Sequence, residues 1–329
     1  MRFGPVPLEE AEGAILAHSV ALPEGRLRKG RVLTPADLAA LREAGQRHVT
    51  VARPGPDDVA EDEAARRLGA AVRGAGLRED RAATGRVNLR AAGPGLLRVD
   101  ASGLHALNAV DPGITVATAA PFHRCRAGEL VATAKIIPYA VPRPALDRAC
   151  EAGLEALSLL PPVIPTAALI LSEVPGGPSA SKGVRSVEGR LGALGVAMHP
   201  PAFVPHDEGA IAAALLVASD AGAGLVLVLT ASATSDARDT GPAALVAAGG
   251  TLHRFGMPVD PGNLLFAGTL RGRPVIGLPG CARSPAPNGA DWVIERTICG
   301  VPPSPGDIAR MGVGGLLKES PARGRPREG

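Results

Sequence analysis

The sequence predicts an α/β protein, with a doubly wound α/β domain in its second half preceded by a smaller α/β unit and a β-rich segment. Three observations carry this prediction. Past residue 143, helix-like and strand-like stretches alternate. Two of the strand-like stretches, 167–171 and 224–229, are almost wholly apolar, as parallel strands buried on both faces must be. Loops rich in Gly, Ser and Thr follow them, where such sheets bind ligands.

At 329 residues the chain has room for two domains. Its 46% hydrophobic and 20% charged residues are those of an ordinary globular protein. Aromatics are only 2%, so Ala, Val and Leu must build the core. The 42 glycines and 32 prolines are spread along the chain and read as frequent turns. A net charge of +3, with acids and bases interleaved, offers no basic stripe, and too few aromatics remain to stack bases, which argues against nucleic acid. No apolar run approaches the roughly 18 residues that mark a membrane span. Met1-Arg2-Phe3-Gly4-Pro5 is not a signal segment, and a cytoplasmic protein is expected. Cys125, Cys150, Cys281 and Cys299 form no C-x-x-C pair, which argues against structural zinc and a disulfide framework.

The first fifty residues read as a helix over 8–17, a turn and strand over 28–33, a helix begun at Thr34-Pro35-Ala36-Asp37 and closed by Gly45, and a strand over 48–52. Residues 57–75 read as a surface helix. From 85 to 141 short β-rich runs (87–89, 96–99, 114–118, 130–137) alternate with turns such as Asp111-Pro112-Gly113. Pro142-Arg143-Pro144 marks a boundary between an accessory region, 1–142, and the α/β domain, 143–318; a basic tail, 319–329, is expected to be disordered. Within the domain we expect a helix over 145–157, then one with Val184, Val187, Leu191 and Leu194 on one face ending at Gly195. An Asp207-capped helix to about 219, a helix over 242–248, a hairpin, a strand over 274–278 and a last helix over 290–299 follow.

Three loops follow strands and are the candidate site. In the first, Ser172, Gly176 and Gly177 suit close approach of backbone N–H groups to an anion, or an ordinary strand-to-helix turn. In the second, Thr230, Ser232, Thr234, Ser235 and Thr240 offer hydroxyls to phosphate oxygens. Asp236 and Asp239 in the same loop are candidates for holding Mg2+ and for catalysis, while Asp239 or Thr240 equally suits a helix cap before Pro242. The third, Pro279, Gly280, Cys281, Arg283 and Ser284, adds a forked donor for phosphate and a thiol that reads as a soft metal ligand, a nucleophile or an inert small hydrophobe. His206 beside Asp207 reads as decoration at a helix start, since it has no identifiable partner in sequence. No G-x-S-x-G elbow, Walker loop or H-E-x-x-H helix is present.

The order of these loops, with Gly256-Met257-Pro258-Val259-Asp260-Pro261-Gly262-Asn263 through Gly268 and then Arg273-Pro274-Val275-Ile276-Gly277-Leu278-Pro279-Gly280, resembles the molybdopterin-binding domain of gephyrin-type molybdopterin molybdotransferases and molybdopterin adenylyltransferases. Val6-Pro7-Leu8-Glu9-Glu10-Ala11-Glu12-Gly13-Ala14-Ile15-Leu16-Ala17 is similar to that family's opening helix. The resemblance covers about half the chain and, loosely, its first fifty residues. It implies that the three loops, with Pro261 and Gly262 of the hairpin, bind molybdopterin through its dithiolene and phosphate. In a molybdotransferase, acids and Mg2+ would also cleave an adenylylated form and insert molybdate; Asp239 matches the family's loop acid. The chain departs from the pattern at Ala231-Ser232, where two glycines are usual, and at Asp236, where a third is. Asn263 replaces a lysine, and Cys281-Ala282 replace Asn-Pro. Fewer glycines narrow backbone approach to a phosphate, and the lost lysine removes a charge.

These features lead us to expect a cytoplasmic, homo-oligomeric binding protein that holds molybdopterin or its nucleotide form for a nucleotidyltransferase or a molybdoenzyme. The Arg-rich tail, with Arg323, Arg325 and Arg327, would begin a linker to such a nucleotidyltransferase domain. An active Mg2+-dependent molybdotransferase and a nucleotide-binding α/β enzyme of another pathway are the alternatives.

Overall fold

The computed structural model describes residues 1–177, 179–260 and 262–317. The expected tail lies outside them. The chain divides into two compact units. Met1–Ala92, Leu97–His123 and Ala127–Leu159 form the first; Gly93–Leu96, Arg124–Arg126 and the chain from Leu160 form the second. The division therefore falls near Leu159 and not at 142, and helix Arg143–Ala152 belongs to the first unit. That helix ends at its C-cap Gly153, short of the expected 157, and Leu157–Leu160 is a strand; an added Cβ at Gly153 would come within 2.3 Å of Leu107 Cδ1.

In the first unit, strand His48–Arg53 lies between Arg2–Pro7 and Ile15–Leu16, antiparallel to both. Helix Pro35–Glu43 starts as predicted, with Thr34 and Asp37 forming a capping box. The expected helix over 8–17 is absent: only Leu8–Glu10 makes a turn of 3-10 helix, and Gly13, at φ 70°, reverses the chain. Leu8, Ala11, Ala14 and Leu16 are nevertheless buried, because the segment wraps round the core with Leu38, Leu41, Val49 and Val51. Further on, Ile114–Thr118, Leu130–Ile136, Arg86–Ala91 and Leu77–Glu79 form an antiparallel four-stranded sheet in that order. Helix Glu61–Val72 is not merely a surface helix; it buries Ala64, Ala65, Leu68 and Val72, and Gly69 lets it approach Val87. Helix Ala101–Asn108, capped by Asp100, was not expected, since Gly103 interrupts its short apolar pattern.

The second unit is the doubly wound domain. Its elements are β1 (Thr166–Glu173), α1 (Ala180–Gly192), β2 (Ala197–Met198), β3 (Ala202–Pro205), α2 (Glu208–Asp220), β4 (Leu225–Leu229), α3 (Thr240–Ala247), β5 (Thr251–Met257), β6 (Asn263–Leu270), β7 (Arg273–Leu278), α4 (Gly289–Ile298) and α5 (Pro305–Arg310). The sheet runs β2-β1-β4-β7-β6-β5, and β3 continues the edge beside β1. β1, β2, β3, β4 and β7 are parallel; the hairpin β5–β6 is antiparallel, and β6 joins β7 antiparallel. Alternate side chains of each strand supply opposite faces, which is why the strands are apolar throughout. Leu169, Leu171, Leu227, Leu229, Ile276 and Leu278 meet Val187 and Leu191 of α1 and Val293, Ile294 and Ile298 of α4. Ile170, Val226, Val228 and Val275 meet Ile211 and Leu215 of α2 and Leu245 of α3. Phe266 is almost fully buried on that second face and opposes Gly277 of β7, where a Cβ would lie 1.8 Å from its ring.

Candidate functional site

Parallel pairing of β1, β4 and β7 brings their carboxyl ends together, and with them the three predicted loops. The loops are hydrogen-bonded to one another. The Ala231 N–H, in the second loop, donates to Ser172 Oγ at the end of β1 (2.9 Å), and Arg283 Nη2, in the third, donates to the Thr230 carbonyl (2.9 Å). Thr230 Oγ1 donates to the Ser232 carbonyl (2.8 Å) and lies 3.5 Å from Thr234 Oγ1, so both buried threonines shape the second loop from inside.

The first loop turns at Gly176, φ 73°, with the Gly177 N–H donating to the Val174 carbonyl (3.0 Å). In the second, Asp239 caps α3: its carboxylate accepts from the Thr240 N–H (2.8 Å) and from the N–H and hydroxyl of Ser235 (2.9 and 3.3 Å). The Ser235 amide, then that of Thr240, hold its pKa below the usual carboxylate range. Asp236 does not join it. That side chain is exposed and turns to Arg238, whose Nε donates to it at 3.0 Å and keeps its pKa low. Neither is a bare carboxylate aimed at a cation, and among the described residues no three His, Cys, Asp or Glu side chains gather at metal-ligating spacing. The described residues hold no ready-made cage for Mg2+, and each of the two carboxylates already has a protein partner.

The third loop opens as a turn of 3-10 helix, Gly280–Arg283, where the Ala282 N–H donates to the Pro279 carbonyl (2.9 Å). Cys281 and Arg283 are half-buried, and Ser284 Oγ accepts from the Ala286 N–H (3.2 Å). With Lys182, Arg185 and Ser186 of α1 they line a cleft of about 610 Å3. Three cations thus face one opening. Burial lowers the pKa of Arg283, which favours a compensating anion beside it. A second cleft, of about 650 Å3, lies between the first loop and β3, with half-exposed Phe203, Val174, Gly176, Gly177 and Ala231 on its walls.

Pro261 lies outside the described residues; Gly262, at φ 75°, turns the hairpin tip. Asn263, which stands where the resemblance expected lysine, is buried with Oδ1 accepting from the Leu265 N–H (3.1 Å).

Four residues of the site escaped the sequence reading. Lys182 and Arg185 stand three apart near the start of α1, a spacing that shares a helix face. Arg190 lies on the apolar stripe between Val187 and Leu191, and a charge there was the available signal. It pairs with Asp291 and donates to the carbonyls of Ala282 (3.0 Å), Ser284 (2.9 Å) and Ala286 (3.2 Å), so it pins the third loop from beneath. His206 has two partners, contrary to the sequence reading: Nδ1 is 2.9 Å from Ser172 Oγ and Nε2 is 2.7 Å from Ser232 Oγ. The short strand β3, unread in sequence, carries it there.

Residues 5–53 match a family described as a domain of unknown function (DUF8806), the stretch that forms the three-stranded sheet and its helix. No curated protein matches the chain. Among solved structures, the molybdopterin biosynthesis MoeA protein from Pyrococcus horikosii is similar over 91% of this chain and 75% of its own, with 12% identity and a TM-score of 0.31. Molybdenum cofactor biosynthesis protein B is similar over 41% of this chain and 88% of its own, with 14% identity and a TM-score of 0.30. Scores of that size leave function to the chain's own residues. No helix among the described residues is long and apolar enough to cross a membrane.

Proposed function

We propose that the second unit binds molybdopterin, or a nucleotide-bearing form of it, over the carboxyl ends of β1, β4 and β7, and acts as a carrier in molybdenum cofactor biosynthesis. The observation that carries this reading is the cleft in which Lys182, Arg185 and Arg283 converge on one opening beside Ser284. Among the described residues no acid pairs with Lys182 or Arg185, so their charge is available to a phosphate, and Arg283 presents a planar fork. The order of loops and the hairpin, through their resemblance to molybdopterin-binding domains, support a pterin as the ligand. The carboxylates support carriage rather than molybdate insertion: Asp236 is bound to Arg238 and Asp239 to the amides of its own loop and helix. A nucleotidyltransferase or a molybdoenzyme is the receiver in this reading.

The test is direct. Protein incubated with molybdopterin and passed through a sizing column should retain pterin fluorescence. Arg283→Met, and Lys182→Ala with Arg185→Ala, should each cut retention about tenfold while the protein stays folded. Wild-type protein emerging without pterin would reject the proposal.

A further inference from the structure

The Ser172–His206–Ser232 chain crosses the ends of β1, β3 and the second loop, and its direction follows from counting protons. Ser172 is buried, 3% exposed. Among the described residues its Oγ has two hydrogen-bond partners, the Ala231 N–H and His206 Nδ1. The amide is a donor, so it occupies a lone pair of the hydroxyl. A buried hydroxyl proton without an acceptor costs about 1–3 kcal/mol, and among the described residues the acceptor it meets is Nδ1. Ser172 therefore donates to Nδ1, and the neutral imidazole carries its proton on Nε2. That Nε2–H donates to Ser232 Oγ, 2.7 Å away. Ser232 is exposed, and its own proton is left to point outward.

This direction matters, because it decides between two chemistries for the same three residues. Ser172 donates to Nδ1 but is buried, and Ser232, the exposed serine, would need an unprotonated Nε2 to take its proton as a nucleophile. The proton count places the hydrogen on the wrong nitrogen for that role. What the chain builds instead is a fixed donor: a run of hydrogen bonds from the Ala231 amide outward to the Ser232 hydroxyl, each polarising the next.

Ser232 follows Ala231, which lines the cleft of about 650 Å3 with half-exposed Phe203 and the Val174–Gly177 turn. An aromatic side chain left half in water beside a glycine turn gives a flat wall for a planar ring. We propose that this cleft is the subsite for a planar, carbonyl-bearing heterocycle, and that Ser232 donates to the ring's carbonyl oxygen. His206 and Ser172 are positioning residues that hold Ser232 in that role. The inference rests on the binding reading above and adds to it which end of the ligand lies where: the phosphate at Lys182, Arg185 and Arg283, the ring at Phe203 and Ser232.

Guanosine monophosphate and adenosine monophosphate test it with the full chain, since both carry a phosphate and only guanine carries a ring carbonyl. The guanine nucleotide should bind about five- to tenfold more tightly. Ser232→Ala should abolish this preference without changing affinity for the adenine nucleotide, and Ser232→Thr should keep it. His206→Ala should behave as Ser232→Ala does, and the double variant should lose no more than either alone, as members of one chain must. Ring 15N shifts of His206 should report the Nε2–H tautomer. Equal affinity for the two nucleotides, additive losses, or an Nδ1–H tautomer would each overturn the proposal. Arg283→Met should weaken both nucleotides alike. Failure of both nucleotides to bind wild-type protein would reject the phosphate reading, whereas binding without preference would reject the ring subsite alone.

Discussion

Asp239 shows how a residue's structural and functional readings separate by experiment. Its carboxylate caps α3, and Asn caps a helix nearly as well as Asp, whereas Ala does not. We expect Asp239→Ala to cost about 1 kcal/mol in denaturant unfolding and Asp239→Asn only a few tenths. The carrier reading further expects Asp239→Asn to retain pterin; its loss in a protein of unchanged stability would assign the charge to the ligand. Gly277 makes a sharper case. With the Phe266 ring 1.8 Å from where its Cβ would sit, Gly277→Ala should destabilise by about 3 kcal/mol, and Phe266→Leu in the same chain should recover part of that. Of the candidate residues, the hydroxyls and Gly positions of the loops were legible because they follow apolar strands. His206 was not, since its two partners are 34 and 26 residues away in sequence.

Helix α4 carries two buried acids one turn apart, Asp291 and Glu295, each opposed by an arginine. Asp291 holds Arg190, and Arg190→Met would strand that carboxylate beneath the third loop. A loss of about 3–5 kcal/mol is expected, together with weaker pterin retention, because three carbonyls of the loop lose their anchor. Glu295 accepts from Arg124 Nη1 at 2.9 Å, yet burial outweighs that partner and raises its pKa to about 7. The sign follows from proton counting. Between the unfolded value near 4.5 and about 7 the folded chain binds more protons, so this group's contribution to stability falls as pH rises through that window and is flat above it. The fall should be at most about 3 kcal/mol, measured as urea midpoints from pH 4.5 to 8, and Glu295→Gln should remove it. At the element scale the sequence was read well where period and cap agreed. Thr34 and Asp207 start their helices as expected. It misled over 8–17, where apolar spacing suited a helix but Gly13 turned the chain, and burial came from wrapping rather than from one helical face.

In the whole molecule, the ligand reading confines its effects to one unit. Hydrogen exchange with and without molybdopterin should slow at the Ser172–Gly177 turn, the 230–239 loop and the 279–285 loop, and not in the sheet built on Leu77–Glu79, Arg86–Ala91, Leu130–Ile136 and Ile114–Thr118. Slowing spread evenly over both units would contradict a site at the ends of β1, β4 and β7. The sequence alone determined the α/β class and the parallel centre of the sheet, because a strand buried on both faces must be apolar at every position and 167–171 and 224–229 are. It also determined that Gly- and hydroxyl-rich loops leave those strands. Only the tertiary structure decided where the chain divides, since Arg143–Ala152 reads as a helix in either unit and its packing alone assigns it. Only it, too, brought Lys182, Arg185 and Arg283 to one cleft and set His206 between two serines. Local pattern records which face of an element is apolar, whereas the meeting of polar side chains a hundred residues apart depends on strand order, which no local pattern carries.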